Sequence, residues 1–162
     1  KVYASGVPTY ANDLQSLEFG QGYWISVTQP ITLYLKGASA SAPNSSDNGS
    51  IQSPPSTFYG EVQAGGGFTP TAGMTLTARI NGIACGQGYT QNFGGQVVYS
   101  LNVVADGPGG TPGCGMAGRT INFSVDGRTM AQTPPWNDTQ VWNAPLSPDT
   151  SSWSLFLPLI QR

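Results

Sequence analysis

Met74-Thr75-Leu76-Thr77-Ala78-Arg79-Ile80-Asn81-Gly82-Ile83-Ala84-Cys85-Gly86 is the stretch that decides the fold. Two strand-like runs, 74–80 and 83–86, flank the dipeptide Asn81-Gly82. Both central residues of a type I′ turn need positive φ, which Asn and Gly tolerate, so the stretch reads as a two-residue β-hairpin. Asp126-Gly127, between the runs 120–125 and 128–132, reads the same way.

Working outward, further strands are predicted over 58–63, 96–104 and 139–142, punctuated by Gly65-Gly-Gly and Asp106-Gly-Pro-Gly-Gly. No segment has a helical period. Many short strands joined by tight turns imply an all-β chain, an antiparallel β-sandwich of two sheets. The predicted sandwich domain spans 57–162.

Residues 1–37 form a separate region. Tyr23-Trp-Ile-Ser-Val27 and Ile31-Thr-Leu-Tyr-Leu35, split by Gln29-Pro30, predict an N-terminal β-hairpin extension. A hairpin is marginal in isolation, so it must pack on the later domain or on a neighbouring chain. Residues 38–56 are rich in Ser, Ala and Pro and read as a linker.

The chain has 162 residues, no histidine and 9% charged residues. A neutral-pH general base, a common metal ligand and a triad partner are thereby missing, and an enzyme is not expected. The carboxylates Asp13, Glu18, Asp47, Glu61, Asp106, Asp126, Asp138 and Asp149 fall mostly in linkers and turns, where Asp favours the local backbone. Asp106 heads a loop with one carboxylate, too few for Ca²⁺, so a turn is the expectation and no metal or cofactor is assigned. Net charge is −2 with scattered Arg and Lys, leaving no footprint for nucleic acid. No apolar run approaches the ~20 residues that span a bilayer as a helix.

Cys85 and Cys114 lie in Gly-flanked contexts and are predicted to pair, as thiols do in an oxidising compartment. Sequons at Asn44, Asn48, Asn122 and Asn137 are candidate glycosylation sites. Both signals point to a secreted or cell-surface protein. The chain opens at Lys1-Val-Tyr with no secretory signal peptide, so the expectation is a mature product or a fragment.

The run Leu17-Glu-Phe-Gly-Gln-Gly-Tyr-Trp-Ile-Ser-Val27 resembles the "L-x-P-G-x-G-Y-W-I-x-V" ending of repeat modules in secreted multidomain surface proteins of thermophilic bacteria. Phe19 stands where that repeat carries Pro, and the module is partial. Tyr59-Gly-Glu-Val62, Ala78-Arg-Ile-Asn-Gly82, Val98-Tyr-Ser-Leu-Asn-Val103, Asp106-Gly-Pro108 with Cys114, and Gly118-Arg-Thr-Ile-Asn-Phe123 resemble the Ig-like or carboxypeptidase-regulatory-like β-sandwich of the same proteins. The closing Phe156-Leu-Pro-Leu-Ile-Gln-Arg162 resembles their usual C-terminus. The resemblance implies a non-catalytic extracellular role in adhesion, matrix or spacing.

Two kinds of partner follow from the residues. Leu155, Phe156, Leu157, Leu159 and Ile160 form a strand too apolar for water, a candidate assembly strand that adds to another copy's sheet edge and builds a filament or adhesin stalk. The alternative is a carbohydrate-binding module, in which Trp136 and Trp142, with Tyr23, Trp24, Tyr89 and Trp153, offer rings for stacking on sugars. Lys36 is a candidate for an intramolecular amide crosslink.

Overall fold

The computed structural model describes residues 3–12, 14–18, 23, 25–27, 29–32 and 53–151. Eight strands run in chain order: β1 (Ser56–Glu61), β2 (Thr75–Ile80), β3 (Ile83–Tyr89), β4 (Gln91–Phe93), β5 (Gln96–Val103), β6 (Asn122–Val125), β7 (Arg128–Thr129) and β8 (Val141–Asn143). They form two four-stranded sheets, β4-β5-β1-β8 and β3-β2-β6-β7. Pairing is antiparallel throughout except for β1 with β8. The chain is therefore an all-β sandwich.

Both predicted turns form as read. Asn81 and Gly82 sit at φ 50° and 84°, Asp126 and Gly127 at 45° and 80°, so each dipeptide supplies the two positive-φ positions a tight hairpin needs. Asp126 adds a side-chain anchor: its Oδ1 accepts the Thr75 N–H at 2.7 Å. A third hairpin of this kind, Phe93-Gly94-Gly95-Gln96, joins β4 to β5 with both glycines at positive φ. Its strand β4 is absent from the sequence reading, because three exposed residues carry no apolar alternation.

Alternation builds the core. On β2, Leu76, Ala78 and Ile80 face inward while Thr75, Thr77 and Arg79 face out; on β5, Tyr99, Leu101 and Val103 face in. Phe58, Phe123 and Tyr99 meet at the centre, Phe58 and Phe123 edge to face at 5.6 Å between ring centroids. The Tyr99 hydroxyl donates to the Ala144 carbonyl at 2.6 Å, and burial pushes its pKa up. Every buried side-chain N or O among the described residues has a hydrogen-bond partner.

The sheets are joined at both sides. β3 and β4 are one run of chain that changes sheet at the buried Thr90. There the Thr90 N–H donates to Met74 O at 3.0 Å, its carbonyl accepts Gly73 N–H at 2.8 Å, and its hydroxyl donates to Thr71 O at 2.6 Å. The bend thus leaves no orphaned backbone group. β5 passes so close to β3 that a Cβ on Gly86 would fall 2.6 Å from the Asn102 carbonyl oxygen, which only glycine accommodates. On the opposite side, Leu146 N–H donates to Glu61 O beside β1, and the next residues turn to β7, where Asp149 N–H donates to Thr129 O.

Some boundaries differ from the expectation. Ser56 belongs to β1 rather than to the linker, since its hydroxyl donates to Asn137 O at 2.6 Å and fixes the strand start. The run 83–86 extends further than expected: β3 continues to Tyr89, with Cys85 inside it. The described residues within 23–32 carry no strand, with Ile25, Val27 and Ile31 exposed, and the rest of the predicted N-terminal hairpin lies outside the described residues. Residues 33–37, most of the linker and the segment 152–162, with Leu155, Phe156, Leu157, Leu159 and Ile160, lie outside the described residues.

Candidate functional site

Three places gather chemistry-bearing side chains, and each starts from a local reason in the sequence. The first is the corner made by the loop after β5. Cys85 and Cys114 form a disulfide there, with Cα atoms 5.5 Å apart. Asp106, just past β5, pairs with Arg119 at 2.8 Å, and its other oxygen accepts Gly113 N–H at 3.2 Å. Arg119 also donates to the Cys114 carbonyl at 2.6 Å. The Arg119 hydrogen bond, helped by the Gly113 and Gly107 amides, holds the Asp106 carboxyl below its usual range. Both Asp106 oxygens are engaged within its own loop, so the residue ties a turn, as the sequence predicts.

The second place concerns the aromatic rings. Trp136 is only 3% exposed; it enters the core with Nε1 donating to Val103 O at 2.9 Å. It is therefore not a sugar platform, because its ring faces are packed against protein. Trp142 is half-buried and donates from Nε1 to Asn137 O at 3.2 Å. Tyr89, 65% exposed, is remote in the sheet order, on β3 of the other sheet. These three rings do not converge on one face. Trp24 and Trp153 lie outside the described residues, as does Lys36.

The third place was not anticipated. Register puts Tyr59 and Glu61 of β1, Val98 and Ser100 of β5, and Gln91 and Phe93 of β4 on the outer face of their sheet. Across that face lies the N-terminal segment. Tyr10 packs its ring 5.1 Å from Phe93 and 6.2 Å from Tyr59, and its carbonyl accepts from Gln91 Nε2 at 3.3 Å. Ala11 and Val98 are both buried, yet neither belongs to the core between the sheets. Burial first, then Tyr59 and Glu61, raises the Tyr10 pKa. The local fold of this segment is set by Asn12, whose side chain accepts Ala4 N–H at 2.7 Å and donates to Val7 O at 2.8 Å. The signal available in the sequence was Phe93 ahead of Gly94-Gly95: a ring fixed beside a tight turn.

Of the remaining candidates, Asn122 is exposed on β6, and Asn137 turns its Oδ1 to Thr139 N and Oγ1 at 2.8 and 2.7 Å. Asn44 and Asn48 lie outside the described residues. Asp149 is held below its usual range by the Ser151 hydroxyl that donates to it. Among the described residues no group of three or more Cys, Asp or Glu could hold a metal ion. The disulfide is compatible with an extracellular protein, and among the described residues no helix is long and apolar enough to cross a membrane. Compared with known proteins, the chain matches no family model, no curated protein and no solved structure.

Proposed function

We propose that this chain is a non-catalytic structural subunit of a secreted or cell-surface assembly, an Ig-like sandwich that builds a filament or adhesin stalk through β-strand contacts between copies. The observation that supports this reading best is the one-sided pairing of β8. It ends its sheet, bonded to β1 alone. Ala144 and Leu146 N–H groups point to β1, so alternation turns the amides of Val141 and Asn143 outward, while Pro145 has no donor to leave unpaired. An open stretch of edge thus adjoins a blunted one. Such an edge accepts one short strand and discourages indiscriminate pairing.

The apolar segment Leu155-Phe156-Leu157-Pro158-Leu159-Ile160 supplies a strand of suitable length. The resemblance to modules of bacterial surface proteins, the disulfide and the hydroxyl- and amide-rich outer faces fit the same role. The test is negative-stain microscopy and size-exclusion chromatography of the chain beside a variant lacking residues 155–162. Fibres from the parent and folded monomers from the truncation uphold strand addition. Monomers from the parent at every concentration overturn the reading.

A further inference from the structure

Of the sequons, those at Asn122 and Asn137 fall among the described residues, and the fold treats them oppositely. Asn122-Phe123-Ser124 lies flat along β6, where Asn122 pairs with Arg79 and Ser124 with both Thr77 and Thr129. Its middle residue is a core side chain, Phe123, edge to face with Phe58. Bending this sequon into an enzyme's active site would break the ladder and pull Phe123 out of the core. Asn137-Asp138-Thr139 lies in the connection from β7 to β8, outside any strand, and Asp138 is not a core residue. Here the chain already turns. Asn137 Oδ1 accepts the Thr139 N–H at 2.8 Å and the Thr139 hydroxyl at 2.7 Å.

The Thr139 amide can only donate, so the side-chain oxygen of Asn137 faces it and the nitrogen faces away. Among the described residues nothing bonds to that Nδ2, and no buried side-chain nitrogen or oxygen lacks a partner, so Nδ2 is open to solvent. The backbone beneath it is fixed: the Asn137 carbonyl accepts from the Ser56 hydroxyl at 2.6 Å and from Trp142 Nε1 at 3.2 Å. Loss of an Nδ2 proton places negative charge on Oδ1, where both Thr139 donors stabilise it. The turn therefore presents and activates one nitrogen.

We propose that Asn137 is the N-glycan acceptor of the sandwich, taking its sugar from a glycosyl phosphate. Nδ2 forms a bond to the anomeric carbon, the bond from that carbon to the phosphate oxygen breaks, and the oxygen leaves with the electron pair. The displaced Nδ2 proton passes to the base of the transferring enzyme. Nothing in the fold has to give, since the glycan replaces an unbonded hydrogen on a solvent-facing atom while Oδ1 keeps both donors. A glycan is bulky and solubilising, and a surface loop is where it is tolerated. The site stands independently of strand addition between copies.

The test compares the folded full chain, its Cys85–Cys114 bridge intact, with synthetic peptides of 118–128 and 133–143. All are treated with a soluble asparagine N-glycosyltransferase and a nucleotide-activated hexose, using an enzyme that labels both peptides, and glycopeptide mapping reads each site. In the folded chain Asn137 is labelled within about tenfold of its peptide rate, whereas Asn122 falls at least about a hundredfold below its own, because it waits for β6 to open. Asn137→Gln loses the label at that position and keeps the parent's far-UV spectrum. The chain secreted by an N-glycosylating host carries its glycan at Asn137. An unlabelled Asn137 in the folded chain, a bare Asn137 in the secreted one, or Asn122 labelled as readily as Asn137 relative to its peptide overturns the assignment. None of these results bears on assembly, which microscopy reads separately.

Discussion

Gly115 lies flat against the indole of Trp136: a Cβ added to the glycine would fall 2.1 Å from the ring's Nε1. The tryptophan is buried because the glycine lets it in, and the Trp136 Nε1 bond to Val103 O then fastens the β7–β8 connection to the end of β5. Gly115→Ala expels or tilts the ring. The expected cost is about 1–3 kcal/mol, as for other overpacked sites, with a red-shifted tryptophan emission. Unchanged stability in a urea titration would place the indole elsewhere.

The disulfide closes 29 residues of sequence separation. In the chain-entropy model that closure contributes about 3.5 kcal/mol. Replacing Cys85 and Cys114 together by Ala should lower the free energy of unfolding by roughly that amount, read as an earlier denaturation midpoint with little change in the native β-type spectrum.

Asp106 carries the loop's pH dependence. Its carboxyl titrates lower in the folded chain than the ~3.9 of an unfolded Asp, so the folded state favours the ionised form. Its stabilisation is complete above the unfolded value and is lost as pH falls from about 4 through the folded value. Thermal melts from neutral to acid pH should show this loss in the parent and a weaker dependence in Asp106→Asn. Equal acid sensitivity in the two would show that other carboxylates govern it.

Tyr99 tests the core. Tyr99→Phe removes the hydroxyl bonded to Ala144 O without opening a cavity at the ring's base. A loss of about 1 kcal/mol follows, the usual net worth of one such bond. The same equilibrium titration checks it, and a neutral result would mean that water satisfies the Ala144 carbonyl instead.

The sandwich was legible where backbone chemistry is local. Asn81-Gly82 and Asp126-Gly127 name their turn by demanding two positive-φ residues, and Leu76, Ala78 and Ile80 name their face by alternation. Long-range relations were not legible. Trp136 looks like a stacking ring until Gly115, 21 positions away in sequence, is seen to make room for it. β4 is invisible because Gln91-Asn92-Phe93 is a strand only by continuing β3 round Thr90. The seat for Tyr10 combines residues from three strands and the N-terminal segment, and no short-range pattern joins them. In the N-terminal region, alternation at Tyr23 to Val27 predicted a strand; Tyr23, Ile25, Ser26 and Val27 carry none, and most of its predicted partner lies outside the described residues.

The bridge between Cys85 and Cys114 also has a mechanical consequence. When the chain is stretched between its two ends, the load passes through the sulfur atoms and skips the residues between them, which include β4, β5 and most of β3. About 100 Å of contour is thereby withheld from extension. β1 and β8 can be peeled away by tension, while β4 and β5 stay in an unloaded loop bypassed by the bridge. The oxidised molecule is a short, stiff link; the reduced one is longer and softer, and a single covalent bond sets the difference.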